Sequence, residues 1–88
     1  MSDSAFRALA DPTRRRILEL LGGGDRTAGQ IAGEFSIAFA SVSHHLRILR
    51  DAELVLARRE GQNIRYRLNT SVFQDVTRYL TRLFGGKR

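Results

Sequence analysis

Ser41, Ser43, His44 and Arg47 lie close together in one segment, and Arg58, Arg59, Gln62, Asn63 and Arg65 lie close together in a second segment a few residues on. Hydroxyls and an imidazole can hydrogen-bond phosphates or base edges. A guanidinium offers a planar fork that matches a phosphate or the O6/N7 edge of guanine. Both segments therefore carry the side chains that grip a polyanion, and neither carries a nucleophile–base pair. Other roles compete residue by residue. Ser43 can instead bond a carbonyl one turn back, and any single arginine can be a solvated charge. His44 and His45 point about 100° apart on a helix, so they cannot chelate one metal together.

The elements that must hold these side chains can be read from periodicity. Phe39, Val42, Leu46 and Leu49 form one inward stripe of a helix over about residues 39 to 52. Ala40, Ser43, His44, Arg47 and Asp51 lie around the opposite side. On that count Phe39 belongs to the core, and His45 packs at the core edge. Leu54 to Glu60 and Asn63 to Leu68 alternate with period two around Gly61, a hairpin in which Ile64, Tyr66 and Leu68 face one way and Asn63, Arg65 and Arg67 the other.

Upstream, Ser4 to Leu9 reads as a short helix. Asp11-Pro12 is a cap followed by a first-turn proline, and Ile17, Leu18 and Leu21 continue that helix to Gly22-Gly23-Gly24. Arg14, Arg15 and Arg16 form a basic run, one or two of them expected to be solvated or paired with Glu19 and Asp11. Thr27 and Gln30 match a capping box opening a third helix through Phe35, with Ala28, Ile31, Ala32 and Phe35 inward. The same pair can present a helix start to a phosphate. After a bend at Ser36 to Ala38 the polar-faced helix begins, which completes a helix-turn-helix. Asn69 caps a last helix whose apolar stripe comprises Val72, Val76, Tyr79, Leu80 and Leu83, broadened by Phe73 and Phe84. That stripe is wider than one small core can cover, so a homodimer seam is expected there, with Phe6 and Leu9 of the first helix.

Bulk properties agree. The chain has 88 residues and a net charge of +6 carried by fourteen arginines and one lysine, the footprint of a polyanion partner. It is expected to be a single domain over 1–88 with a flexible basic tail at 85–88. The absence of cysteine removes disulfides and thiolate metal sites. There is no membrane-length apolar run and no export signal, so a cytoplasmic protein without membrane insertion is expected. No phosphate loop or carboxylate pair suggests an enzyme, and no cofactor is expected.

Leu9-Ala10-Asp11-Pro12-Thr13-Arg14-Arg15, Ile17-Leu18, Ser43-His44-His45-Leu46, Leu49, Ala52-Glu53-Leu54-Val55, Arg59-Glu60-Gly61 and Tyr66 together resemble the ArsR family of winged-helix repressors over nearly the whole chain. Leu68-Asn69-Thr70 running into a short last helix is similar to its SdpR-type autorepressors. The resemblance implies a mainly α fold of about five helices with a small two-stranded β-hairpin, a winged helix-turn-helix. It implies a sequence-specific repressor of double-stranded DNA, homodimeric through the first and last helices, on a near-palindromic operator. The alternative is a non-specific nucleic-acid-binding or nucleoid-type protein. In the implied repressor Ser41, Ser43, His44 and Arg47 face the major groove, and Arg58, Arg59, Gln62, Asn63 and Arg65 belong to the wing. An inducer or a sequestering protein is a further expected partner.

The pattern departs from the family twice. Thr27 and Gly29 stand where metal-sensing members carry a Cys-x-Cys pair, and Asp75 is the only acid of the last helix, which has no histidine. No metal site is therefore expected. Ala38-Phe39 stands where the family often has a capping Ser and then Lys or Gln, which removes a cap and one polar DNA contact.

Overall fold

The computed structural model describes residues 3–85. Its elements are α1 (Asp3–Leu9), α2 (Pro12–Gly22), β1 (Arg26–Thr27), α3 (Ala28–Ala32), α4 (Phe39–Asp51), β2 (Val55–Glu60), β3 (Asn63–Leu68) and α5 (Thr70–Gly85). Five helices and a small sheet match the expected class, with one addition. The sheet has three antiparallel strands in the order β1-β3-β2, with Arg26 opposite Tyr66 and Thr27 opposite Arg65. Two residues are too few to show an alternation, so β1 was invisible to periodicity. The β2–β3 hairpin is as read, turning at Gly61 with φ +62°.

Two boundaries are corrected. α3 stops at Ala32 rather than Phe35, because Gly33 caps it and single-turn bonds from Glu34 N–H to Ile31 and Phe35 N–H to Ala32 tighten the chain. Ile31 is buried, whereas Ala28, Ala32 and Phe35 only lean on the core. Gly85 belongs to α5 and not to a tail; the rest of the expected tail, 86–88, lies outside the described residues.

The core is where the helix stripes meet the inner face of the wing. Ile17 of α2, Ile31 of α3, Val42, Leu46 and Leu49 of α4, and Leu54 and Val55 leading into β2 are at most 1 % exposed. α4 ends in a tight bonded turn. Leu54 N–H reaches back to Leu49 O and Glu53 N–H to Arg50 O, with Glu53 in the left-handed region at φ +63°. That pairing of bonds satisfies carbonyls a helix end would otherwise leave open and swings Leu54 into the core.

Helices α1, α2 and α4 are joined by one polar junction. Asp11 caps α2 by accepting Arg14 N–H at 3.0 Å. The Arg14 side chain donates to the last carbonyls of α1, Nε to Ala8 O at 2.8 Å and Nη2 to Arg7 O at 3.2 Å, and Arg15 Nη1 donates to Leu9 O at 2.8 Å. These arginines therefore close the C-terminus of α1, favourably placed at its negative end, and Glu19 is not their partner in these bonds. Arg14 Nη1 also lies 3.3 Å from His45 Nδ1 on α4. A guanidinium has only donors, so Nδ1 accepts. His45 Nδ1 also lies 3.8 Å from Asp11 Oδ2. His45 thus has the packed, structural role its position suggested.

The Arg14 backbone N–H, helped by the nearby His45 and Arg14 side chains, holds the Asp11 carboxyl below its ordinary value of 3.8. A depressed carboxylate contributes stability in full above the unfolded pKa, and that contribution is lost as pH falls through the lower folded value. Asp11→Asn keeps a capping side chain and removes the charge. Its melting temperature should lie below that of the parent at pH 6 and converge on it as pH drops below about 4. Thermal melts followed by circular dichroism across that range check this, and parallel curves would contradict it.

Candidate nucleic-acid interface

α4 buries a narrow stripe, and that stripe fixes which side chains face out. With Val42, Leu46 and Leu49 inward, Ser41, His44 and Arg47 stand exposed and Ser43 is half-buried at the edge. Phe39 departs from the expectation. It is 57 % exposed and not part of the core, because it sits in the first turn, at the margin of the inward stripe. No side chain caps this helix at Ala38, in line with the missing capping residue.

Ser43 and Arg47 line a shallow groove together with Phe39, Arg50, Ala28 and, from the wing, Ile64 and Tyr66. The helix edge and the wing therefore adjoin across one concave surface. Arg50 was not singled out from sequence, although the 100° count places it beside Phe39 and Ser43.

In the wing, register sorts the arginines onto two faces. Arg59 lies opposite Ile64, on the side of buried Tyr66, whereas Arg58 pairs with Arg65 and Glu60 with Asn63 on the other side. Only Arg59 of these arginines shares the face of Ile64 that lines the groove, and its Nη1 donates to Gly61 O at 3.4 Å. Gln62 and Asn63 are exposed at the tip.

On the outer face Glu60 holds two arginines at once. Arg58 Nη2 donates to Oε2 and Arg65 Nε to Oε1, each at 2.8 Å. The two guanidinium bonds, Arg65 first, push the Glu60 carboxyl below its usual range, and Glu60 in turn raises Arg65. Arg58 remains open to solvent, with 76 % of its side chain exposed against 32 % for Arg65. Exposed Arg67 joins them around a depression that also touches Asp25 and Leu56. Sequence reasoning placed Arg67 with Arg65 by alternation but did not select it.

Thr27 and Gln30 form the reciprocal box: Gln30 N–H donates to Thr27 Oγ1 at 3.2 Å and Thr27 N–H to Gln30 Oε1 at 2.9 Å. Beside them Arg26 Nε donates to Leu20 O at 3.1 Å, near the end of α2.

The expected dimer residues divide. Val76 is 5 % exposed and belongs to the chain's own core, which corrects its place at a seam. Leu9, Val72 and Phe73 are half-buried against that core. Phe6 meets Tyr79 edge-on at 5.7 Å between ring centroids. Beyond this contact exposure climbs along α5, from 38 % at Leu80 through 55 % at Leu83 to 81 % at Phe84. Phe84 was read as part of the stripe but not chosen as a seam residue. No helix among the described residues is long and apolar enough to cross a membrane.

Comparison with known proteins agrees with this geometry. The family model for bacterial regulatory proteins of the arsR family matches residues 11–56, from the α2 cap into the wing. The transcriptional repressor SdpR of Bacillus subtilis (strain 168) is 53 % identical over 78 residues, covering 89 % of this chain and 87 % of its own length. The crystal structure of an ArsR family transcriptional regulator superimposes with a TM-score of 0.85 at 30 % identity, over 92 % of this chain and 84 % of that one. The homodimeric winged helix-turn-helix DNA-binding domain of a Mycobacterium bovis protein gives 0.73 at 29 % identity, over 97 % and 82 %. With the matched segment running through the capped α2 and the helix-turn-helix into the first wing strand, this chain belongs to the ArsR family of bacterial regulatory proteins.

Proposed function

We propose that the chain is a transcriptional repressor that binds a specific double-stranded DNA site as a homodimer. The observation that carries this reading is the state of α4. Val42, Leu46 and Leu49 are fully covered, while Ser41, His44 and Arg47 stand open beside a cation-bearing wing. Such a helix fits the major groove, about 12 Å wide, and the tip of a β-ribbon reaches the neighbouring groove or backbone. Family membership and the named repressor relative support the same assignment. No step of catalysis is involved.

The residues take distinct roles. Arg47 reads a base edge or clamps a phosphate, with Ser41, Ser43 and His44 hydrogen-bonding around it. Arg59, Gln62 and Asn63 at the wing tip, with Arg58 and Arg65 from the outer face, meet the backbone. The cap already occupies Thr27 Oγ1 and Gln30 Oε1, which leaves the Gln30 amide donors as the group there that can reach a phosphate. Phe6, Leu80 and Leu83, extended by Phe84, form the seam with the second copy. Repression is steric: two α4 helices about 34–36 Å apart enter successive major grooves and exclude polymerase. A cytoplasmic location follows from that work.

Titration of the protein on duplex from its own upstream region should give at least about a thousandfold preference over scrambled duplex. If about six phosphates are neutralised, the slope of log K against log salt should be near −5. Equal affinity for both duplexes would sink the specific reading in favour of a non-specific nucleic-acid coat.

Leu80→Asp should convert the sedimenting species from dimer to monomer and weaken operator binding by more than tenfold. A monomer that still binds operator tightly would refute the seam.

Glu60→Gln removes the carboxylate that engages Arg58 and Arg65. Affinity for scrambled duplex should rise, and the salt slope should steepen by about one. An unchanged slope would show that the outer-face arginines do not touch the backbone.

A further inference from the structure

Phe39 is an aromatic side chain left 57 % in water at the leading end of the helix assigned to the major groove. It stands one turn before Ser43 and two turns before Arg47, on the rim of the groove those residues line with Ile64. In a helix laid into a major groove, the N-terminal residues contact base edges. A phenyl ring has no donor or acceptor and cannot satisfy any of the hydrogen-bonding edges there. The one apolar feature that B-DNA presents in that groove is the 5-methyl of thymine, and aromatic side chains are among its partners. Placed against any other edge, the ring would strip water from a polar group and return nothing.

Resting on the repressor reading above, we propose that Phe39 is a specificity-determining residue that packs on the 5-methyl group of one thymine in each half-site. The contact is directional in sequence terms. It favours T over C at that position, because cytosine presents its N4 amino donor without a methyl. It is also independent of the charge contacts made by Arg47. Ile37, 43 % exposed in the bend before α4, is the other large apolar side chain left exposed near this end and supplies the control.

The test begins with the full chain and a random duplex library, from which bound sequences are enriched. Each thymine of the enriched site is then replaced singly by deoxyuridine, which removes the methyl and nothing else. Burying one such group corresponds to about a fourfold change in affinity, so one thymine per half-site should show a loss of that size. In Phe39→Ala the discrimination between thymine and uracil at that position should vanish, while Ile37→Ala and Arg47→Ala should keep it. Phe39→Leu, which retains an apolar side chain, should keep part of it. A flat uracil scan on the unaltered protein overturns the inference without reference to any variant. So does discrimination that survives in Phe39→Ala, or that is lost in Ile37→Ala instead. Failure to enrich any sequence overturns the repressor reading itself, and this inference with it. An enriched site with a flat scan overturns this inference alone.

Discussion

The rotation of α4 about its own axis is fixed by three side chains, Val42, Leu46 and Leu49, each at most 1 % exposed. Successive residues on a helix are 100° apart, so once that stripe is locked against α2, α3 and the strand entry the direction of every other side chain on the helix is decided. Turning the helix by a single residue would carry Ser43 or Arg50 inward and lose most of the burial, about 1.5–3 kcal/mol for each large apolar side chain exposed. The polar face has its direction because the apolar face has no alternative. His45 adds a directional restraint at the far edge, where its ring takes a bond from Arg14, the residue that also closes the end of α1.

That logic explains what could be read beforehand. The stripes of α2 and α4, the Asp11 cap, the Thr27–Gln30 box and the alternation through Ile64, Tyr66 and Leu68 are all local patterns, and each is present in the fold. What periodicity cannot supply is the identity of whatever lies opposite. Phe39 sits at the margin of the inward stripe, yet the core does not extend over that first turn, so the angle misled. β1 pairs with β3 some forty residues away and is only two residues long. The stripe of α5 mixes a residue of the chain's own core, Val76, with residues that nothing in the chain covers, and spacing alone cannot tell them apart.

The wing shows the same limit in its electrostatics. Alternation put Asn63, Arg65 and Arg67 on one face, but could not show the Glu60 carboxylate bridging Arg58 and Arg65. Exposed pairs of this kind contribute little to stability. Their consequence is for binding, since an arginine that already donates to a carboxylate has a competitor for phosphate. Arg59 faces the groove from the other side of the strand and shares only a carbonyl of the turn. The face of the wing nearest α4 thus carries fewer arginines than the outer face, but Arg59 there donates to a backbone carbonyl and not to a carboxylate.

The gradient along α5 bears on the proposed pairing with a second copy. Its earlier part is held by Val76, Val72, Phe73 and the Phe6–Tyr79 contact, while Leu80, Leu83 and Phe84 are increasingly left in water. Leaving those three in water forfeits several kcal/mol in a domain whose whole stability is of order 5–15 kcal/mol. A two-fold interface doubles every contact, because each residue of the seam is used once from either side. Six such side chains, with Phe6 from each copy, approach the scale of the 4–15 kcal/mol lost on association. In the proposed dimer, the same helix that completes the domain at its start completes the assembly at its end, and the spacing of two α4 helices on DNA is set by the packing of residues that never approach a base.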